Sequence, residues 1–395
     1  MTRIGTAIPA AAALAAAAVL IAPAMTVAQQ QPVTIGVSLS FTGPDPVGAT
    51  EFNSAVAAWQ KEHGTVAGGR QIKLVRLDDT GPKPDVATRN AQQLIVQDHA
   101  QILVGGNYTP TSIAMAKVST AGKVAYFDVN AATSNILKDE PYSSRFGFTT
   151  AQVCPPLARW ALKNGIKTAF TLVADYGPGL DAAKSFDGTF EGGGGKIIGS
   201  GTVPLTNTDF SAYVQRLKDL RPDALFVFLP AGPGSAALLK SFDDAGLQGK
   251  VKIIATGDVT LEDQLPQEGD AALGIVTTYD YSMDHPSALN REFVKDFLAT
   301  SGGVPPNFTA VATYDIMHAI YAALDATHGD TDATKIIAAV KGMKFESPRG
   351  PIMIDPSTRD IVQNVYLRRV EKKDGRLVNV EFETVPMVKD PTETY

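Results

Sequence analysis

Val33-Thr34-Ile35-Gly36-Val37-Ser38-Leu39-Ser40 reads as a β-rich run, and Thr42-Gly43-Pro44 turns the chain behind it. Ala55, Val56, Ala58 and Trp59 then recur at helical spacing within residues 49–62. From this strand–turn–helix unit the pattern spreads outward. Residues 71–77 read as a strand ending in Asp78-Asp79, 85–98 as a helix, 102–104 as a strand, 111–121 as a helix and 124–128 as a fourth strand. Strands separated by single helices of this length need right-handed crossovers and give a parallel sheet.

The pattern then restarts. Helices are expected at 152–164, 180–190, 210–220 and 235–245, alternating with strands at 168–174, 196–203, 224–229 and 251–255. The repetition is structural, and no short sequence repeat of solenoid type accompanies it. Residues 146–149, apolar and Thr-rich, connect the two runs. The expected fold class is α/β, with two doubly wound parallel-sheet lobes.

The last third differs. Residues 275–281 read as a strand, 290–299 and 310–326 as helices, and 331–341 as a helix opened by Asp330-Thr331-Asp332. Residues 352–354 and the pair 362–370 and 377–385, turning at Asp374-Gly375, read as antiparallel strands. Such a tail must pack back on the lobes, so crossings are expected near Thr149, Thr277 and Asp355. They give an N-terminal lobe of residues 32–149 plus 277–354 and a C-terminal lobe of 150–276 plus 355–395. A three-crossover hinge of this kind suits closure around a ligand.

A length of 395 residues leaves ample core for two lobes. The net charge of −6, with no run of Lys or Arg among aromatics, argues against nucleic acid or an anionic membrane as partner. Arg3, the apolar run 7–21 and the small-residue sites Ala22-Pro23-Ala24 and Thr26-Val27-Ala28 read as an export signal peptide, residues 1–28, cut after Ala28. That run falls short of the ~20 residues a membrane span needs. Cys154 is the only cysteine, so no intramolecular disulfide is possible, and no lipid can be attached near the signal's end. Export to a Gram-negative periplasm as a soluble, unanchored monomer is the expectation, with Cys154 as a small packing residue.

No catalytic constellation competes with binding. Gly232-Pro233-Gly234-Ser235-Ala236-Ala237 matches a relaxed dinucleotide fingerprint, but it lies deep in the second lobe and Pro233 occupies the loop. His63, His99, His285, His318 and His328 lack paired ligand spacing, so neither a metal nor a His acid–base pair is expected. Asp78-Asp79 reads as a strand-end turn capping the next helix. No enzyme activity and no cofactor are expected.

What remains are the loops at the carboxyl ends of the strands, where open α/β sheets bind ligands. They are 40–46, Gly105-Gly106-Asn107-Tyr108-Thr109-Pro110-Thr111 and Asn130-Ala131-Ala132-Thr133 in the first lobe. The second offers Asp175-Tyr176-Gly177-Pro178-Gly179, 230–234 and Thr256-Gly257-Asp258. Each joins glycine to a hydroxyl or aromatic side chain. The loop before 111–121 also points a helix N-terminus at the cleft, a site suited to an anion.

These features resemble a type I periplasmic solute-binding protein of the branched-chain amino acid (leucine-binding) transport family. The resemblance covers essentially all of the mature chain. It is carried by Ile35-Gly36-Val37-Ser38, Phe41-Thr42-Gly43-Pro44, Leu77-Asp78-Asp79, Gly105-Gly106, Ala131-Ala132-Thr133, Asp175-Tyr176-Gly177 and Asp243-Asp244-Ala245-Gly246-Leu247, in order. It implies capture of a small carboxylate and its delivery to an ABC-type inner-membrane permease. By position, Thr109, Pro110, Thr111 and Thr133 would surround a ligand carboxylate, held by the threonine hydroxyls and backbone N–H groups. Ala131 would offer its carbonyl to an ammonium, Asp258 would be the counter-charge, and Tyr176 would cover the ligand.

The chain also departs from that pattern. Pro110 stands where a serine is common, Ala231 where an aromatic is common, and Asp258 where a longer Glu is usual; Gly81 and Tyr108 replace a disulfide seen in some relatives. Tyr108 and the small Ala231 would reshape the pocket for a larger, aromatic acid. Tyr142-Ser143-Ser144-Arg145, Asp175-Tyr176-Gly177-Pro178-Gly179 and Glu346-Ser347-Pro348-Arg349-Gly350 resemble a subgroup associated with aromatic carboxylates. An amino acid is the default ligand, an aromatic carboxylate the alternative, and a solute sensor feeding a signalling partner a further one.

Overall fold

A computed structural model describes residues 31–43, 47–205 and 208–391, with Met1, Thr2 and Gly5. Those three apart, the expected export segment and its cleavage site after Ala28 lie outside the described residues, as do residues 44–46 of the first loop.

The first run folds as β1 Val33–Leu39, α1 Gly48–His63, β2 Val66–Ala67, β3 Arg70–Asp78, α2 Pro84–Val96, β4 Ile102–Gly105, α3 Thr109–Gly122, β5 Ala125–Asp128 and β6 Ser143–Arg145. These strands form one sheet in the order β2-β3-β1-β4-β5-β6. Only β2 runs antiparallel to its neighbour, β3. Every residue of β1 is buried, as a parallel strand covered on both faces requires.

The second run gives α4 Thr150–Lys163, β7 Thr168–Ala174, α5 Gly177–Gly192, β8 Lys196–Val203, α6 Ser211–Leu220, β9 Ala224–Phe228, α7 Pro233–Asp244, β10 Lys252–Thr256, α8 Leu265–Glu268 and β11 Val276–Tyr279. There follow α9 Ala288–Leu298, α10 Phe308–Ala326, α11 Ala333–Val340, β12 Lys344–Ser347, β13 Gly350–Ile354, β14 Ile361–Lys373 and β15 Arg376–Val388. The second sheet runs β12-β13-β14-β11-β10-β9-β7-β8, with β15 paired to β14. Strands β7 to β11 are mutually parallel, and the tail strands extend the sheet antiparallel.

Both sheets share one winding. After β1 the chain steps to β3 on one side, then to β4 and β5 on the other; after β7 it steps to β8, then to β9 and β10. The order reverses between β1 and β4 and between β7 and β9, which opens a crevice at the carboxyl ends there. Val33, Ile35 and Val37 anchor the first core together with Phe52, Phe293, Val311, Ile320 and Ile336, so α9 to α11 return to cover the first sheet.

The tail joins the two halves. Thr277 lies inside β11, and the chain leaves the second sheet after Tyr279. Strand β13 bonds to β14 of the second sheet, while Ile352 and Ile354 pack in the first core. Strand β6 had no hydrophobic signature because it is built from Ser143, Ser144 and Arg145, all buried. Its burial is made tolerable by Asp360, which pairs with Arg145 at 2.6 Å.

Candidate functional site

The two crevices meet in one cavity. Its wall takes Asn107, Tyr108 and Thr109 from the loop after β4, and Asn130 and Ala132 from the loop after β5. The second sheet supplies Tyr176 and Pro178 after β7, Phe228, Pro230 and Ala231 at the end of β9, and Asp258 after β10. Phe148 and Phe308 complete it from the first crossing and from the start of α10. Space inside is narrow, with about 30 Å³ open to the centre of a water-sized molecule. A roomier groove of about 830 Å³ beside Pro266, Gly303 and Arg376 contains none of the expected ligand residues. Strand-end position therefore favours the smaller, enclosed cavity.

At the first sheet, geometry is set by the start of α3. Gly106 adopts φ +87, and a Cβ there would collide with the Tyr126 hydroxyl and the Asp128 carboxylate. Only glycine allows this close backbone turn. Tyr108 follows as an extended N-cap, and the Thr111 hydroxyl donates to its carbonyl at 2.8 Å. Thr111 and Pro110 thus shape the helix start behind the cavity wall. Thr109 presents its hydroxyl 3.0 Å from that of Thr133.

The loop after β5 is held from behind by a cation. Arg145, with no exposed surface, donates through Nη1 to the carbonyls of Ala131 and Thr133, each at 2.6 Å. Its Nε donates to Asp360. Nearby, burial pushes the Asp128 carboxyl up to about 7, although Arg145 and the Ser112 and Tyr126 hydroxyls oppose the rise. The carbonyl of Ala131 is therefore already engaged by a guanidinium.

On the second sheet, Asp258 is the charged side chain of the wall. Only 4% exposed, it accepts from the Thr256 hydroxyl at 2.9 Å and from the Tyr279 hydroxyl at 3.1 Å. Burial pushes its carboxyl up to about 6, and these two donors restrain the rise. Tyr176 stacks near Phe228, with ring centroids 6.1 Å apart. Burial, then the charge of Asp258, drives its phenol well above the ordinary range. Among the described residues, the wall holds no lysine, arginine or histidine.

Of the residues singled out in the sequence, Tyr108, Thr109, Tyr176, Ala231 and Asp258 meet in the wall, whereas Pro110, Thr111, Ala131 and Thr133 do not line it, and Thr133 lines a separate groove with Asn135 and Asp181. Asn107, Asn130, Ala132, Pro178 and Pro230 lay in the expected loops without being picked out. Phe228 was expected only as part of strand 224–229, and Phe148 and Phe308 were missed altogether. Their signal is faint: a phenylalanine in the 146–149 connector, and one directly after the α10 N-cap, Asn307.

A cavity between the carboxyl-end crevices of two α/β sheets, walled by loops of both, is the arrangement of a solute-binding protein. The family model described as periplasmic binding protein matches residues 32–376. A Brucella melitensis Leu/Ile/Val-binding protein homolog 6 is 39% identical over 371 residues, covering 93% of this chain and 95% of the relative. Among solved structures, a solute-binding protein of an ABC transporter from Rhodopseudomonas palustris BisB5, in complex with 3,4-dihydroxybenzoic acid, is similar at TM-score 0.88 and 44% identity; the match covers 92% of this chain and 99% of that one. One from Rhodopseudomonas palustris HaA2, in complex with p-hydroxybenzoic acid, gives TM-score 0.89 and 41% identity, covering 91% and 99%. The chain belongs to the periplasmic binding proteins, as a type I member of the branched-chain amino acid family and a substrate-binding protein of an ABC transporter. The family is one of binding proteins that work with permeases. Among the described residues, no helix is long and apolar enough to cross a membrane.

Proposed function

We propose that the protein captures a monocyclic aromatic carboxylate in the periplasm and hands it to an inner-membrane ABC permease. The observation that carries this reading is the wall itself: rings of Tyr108, Phe148, Tyr176, Phe228 and Phe308 around a narrow space. Aromatic side chains give a flat ring apolar faces and edges on several sides. The ligand carboxylate would sit at the start of α3, where the Thr109 hydroxyl and the helix N-terminus favour an anion.

The default amino acid reading loses ground at Ala131. Its carbonyl, expected to receive an ammonium, accepts instead from Arg145, and that guanidinium repels a second cation beside it. The two Rhodopseudomonas structures, crystallised with hydroxylated benzoic acids, support the aromatic reading. The name of the Brucella relative and the acid at Asp258 favour the amino acid one. In either case the first sheet with its covering helices α9 to α11 and the second sheet with its antiparallel tail act as lobes that close on the ligand. Export by the 1–28 segment places the chain, as a monomer, where solutes enter.

A thermal-shift screen decides between these readings. Benzoate and 4-hydroxybenzoate should raise the melting temperature, since ligand at 100 times Kd stabilises by ~2.7 kcal/mol. Leucine and phenylalanine should leave it unmoved. Stabilisation by the amino acids alone would reverse the assignment.

A further inference from the structure

Given the aromatic-carboxylate reading, on which this step rests, we propose that Asp258 is a specificity-determining residue. It accepts a hydrogen bond from a ring hydroxyl opposite the ligand carboxylate, and so selects para-hydroxylated benzoates over benzoate and over its O-methylated relatives.

What faces Asp258 sets the orientation of the ligand. It enters the cavity from the second sheet, whereas Thr109 and the α3 N-terminus enter from the first. A ligand carboxylate placed beside Asp258 would set two anions together in a site with little water, so it must lie at the α3 end. The far edge of the ring then faces Asp258. The Thr256 and Tyr279 hydroxyls each satisfy one lone-pair site, on different oxygens. The backbone N–H of Asp258 itself is a further donor, so of the roughly four sites a carboxylate offers, one remains to accept. The wall contributes no cation among the described residues to use it.

Chemistry then fixes the ligand group. The two hydroxyl donors favour the ionised carboxyl against the pull of burial, so at neutral pH Asp258 calls for a further donor. A phenolic O–H supplies one, whereas a hydrogen atom on an unsubstituted ring does not. A methoxy group places an acceptor against an acceptor. An enclosed site built to bond a hydroxyl rejects the analogue without it, because its buried polar group is then left unpaired. Hydrogen bonds to charged groups correspond to a preference of roughly 10- to 100-fold.

Titration calorimetry on the mature chain tests this with benzoate, 4-hydroxybenzoate and 4-methoxybenzoate. The wild type should bind 4-hydroxybenzoate at least about 10-fold more tightly than either of the others. Asp258→Asn should bring the hydroxybenzoate-to-benzoate ratio to within about 3-fold. A merely structural role would weaken both ligands together and leave that ratio intact, which would overturn the proposal. Equal affinity of the wild type for all three overturns it without any variant, while leaving the aromatic reading standing. Binding of leucine but of no aromatic acid would remove both.

Discussion

At the residue scale, two buried acids show how differently the fold treats carboxyls. Asp258 has two hydroxyl donors; among the described residues, neither carboxylate oxygen of Glu268 has a hydrogen-bond partner. Burial, then the charge of Asp263, pushes Glu268 up to about 8 from an ordinary value of 4.5. The folded chain therefore keeps this proton at neutral pH, while the unfolded chain has released it. Stability should accordingly fall as pH rises from about 4.5 to 8, where the penalty is complete. Glu268→Gln should abolish that decline and add on the order of 1–3 kcal/mol at pH 8. Urea titrations across this range check it, and parallel curves for variant and wild type would refute it. Sequence could not have foretold such environments. Asp78-Asp79 was legible as a strand-end turn, yet its predicted capping role is corrected: Asp78 accepts from the backbone N–H groups of Phe41 and Thr80, Asp79 from the Ser40 hydroxyl, and the α2 N-cap is Lys83. What a carboxylate bonds depends on loops brought together by folding, not on its neighbours in sequence.

At the element scale, the long periodic segments were legible because burial of one face repeats with the helix or strand period. Strands β7 and β8 were placed to the residue, and the Asp332 cap of α11 is present, accepting from the N–H of Lys335. Short elements such as β2, β6, β12 and α8 carried too few residues for a period. Helix α4 adds a case where local and distant demands coincide. Thr149 and Gln152 form a reciprocal capping box, the Thr149 hydroxyl accepting from the Gln152 N–H and the Gln152 amide oxygen from the Thr149 N–H. The same amide donates to the carbonyls of Ile361 and Val388, at 2.8 and 2.9 Å. Gln152→Ala removes the box and strands both carbonyls, so it should cost roughly 2–4 kcal/mol. Asp332→Ala, at an exposed cap, should cost about 1 kcal/mol. Thermal denaturation of the two variants should keep that order; the reverse would mean that Gln152 caps and does no more.

At the scale of the whole molecule, one cation ties the crossings together. Arg349, fully buried, donates to Asp280 at 2.6 Å, to Asp315 at 2.7 Å and to the Phe146 carbonyl at 2.8 Å. Those partners lie on the first crossing, on the second and on α10. Arg349→Met leaves two buried acids without their counter-ion and should cost about 3–5 kcal/mol in chemical denaturation. A loss below about 1 kcal/mol would show the knot to be dispensable. Two lobes and a returning tail could be read from the sequence, because they follow from counting strands and helices. The knot could not, since it joins residues more than 200 positions apart.

The place of β14 governs the order in which the molecule can be completed. Residues 361–373 lie between β11 and β13, so the edge of β11 stays bare until the chain is nearly finished. The first sheet has all its strands by Arg145, yet its covering helices α9 to α11 arrive only after the second sheet's parallel strands. Neither half can shut early, and an uncovered edge is a template for wrong pairing. A polypeptide whose sheet edge is closed only by a strand near its end cannot finish folding before that strand is delivered.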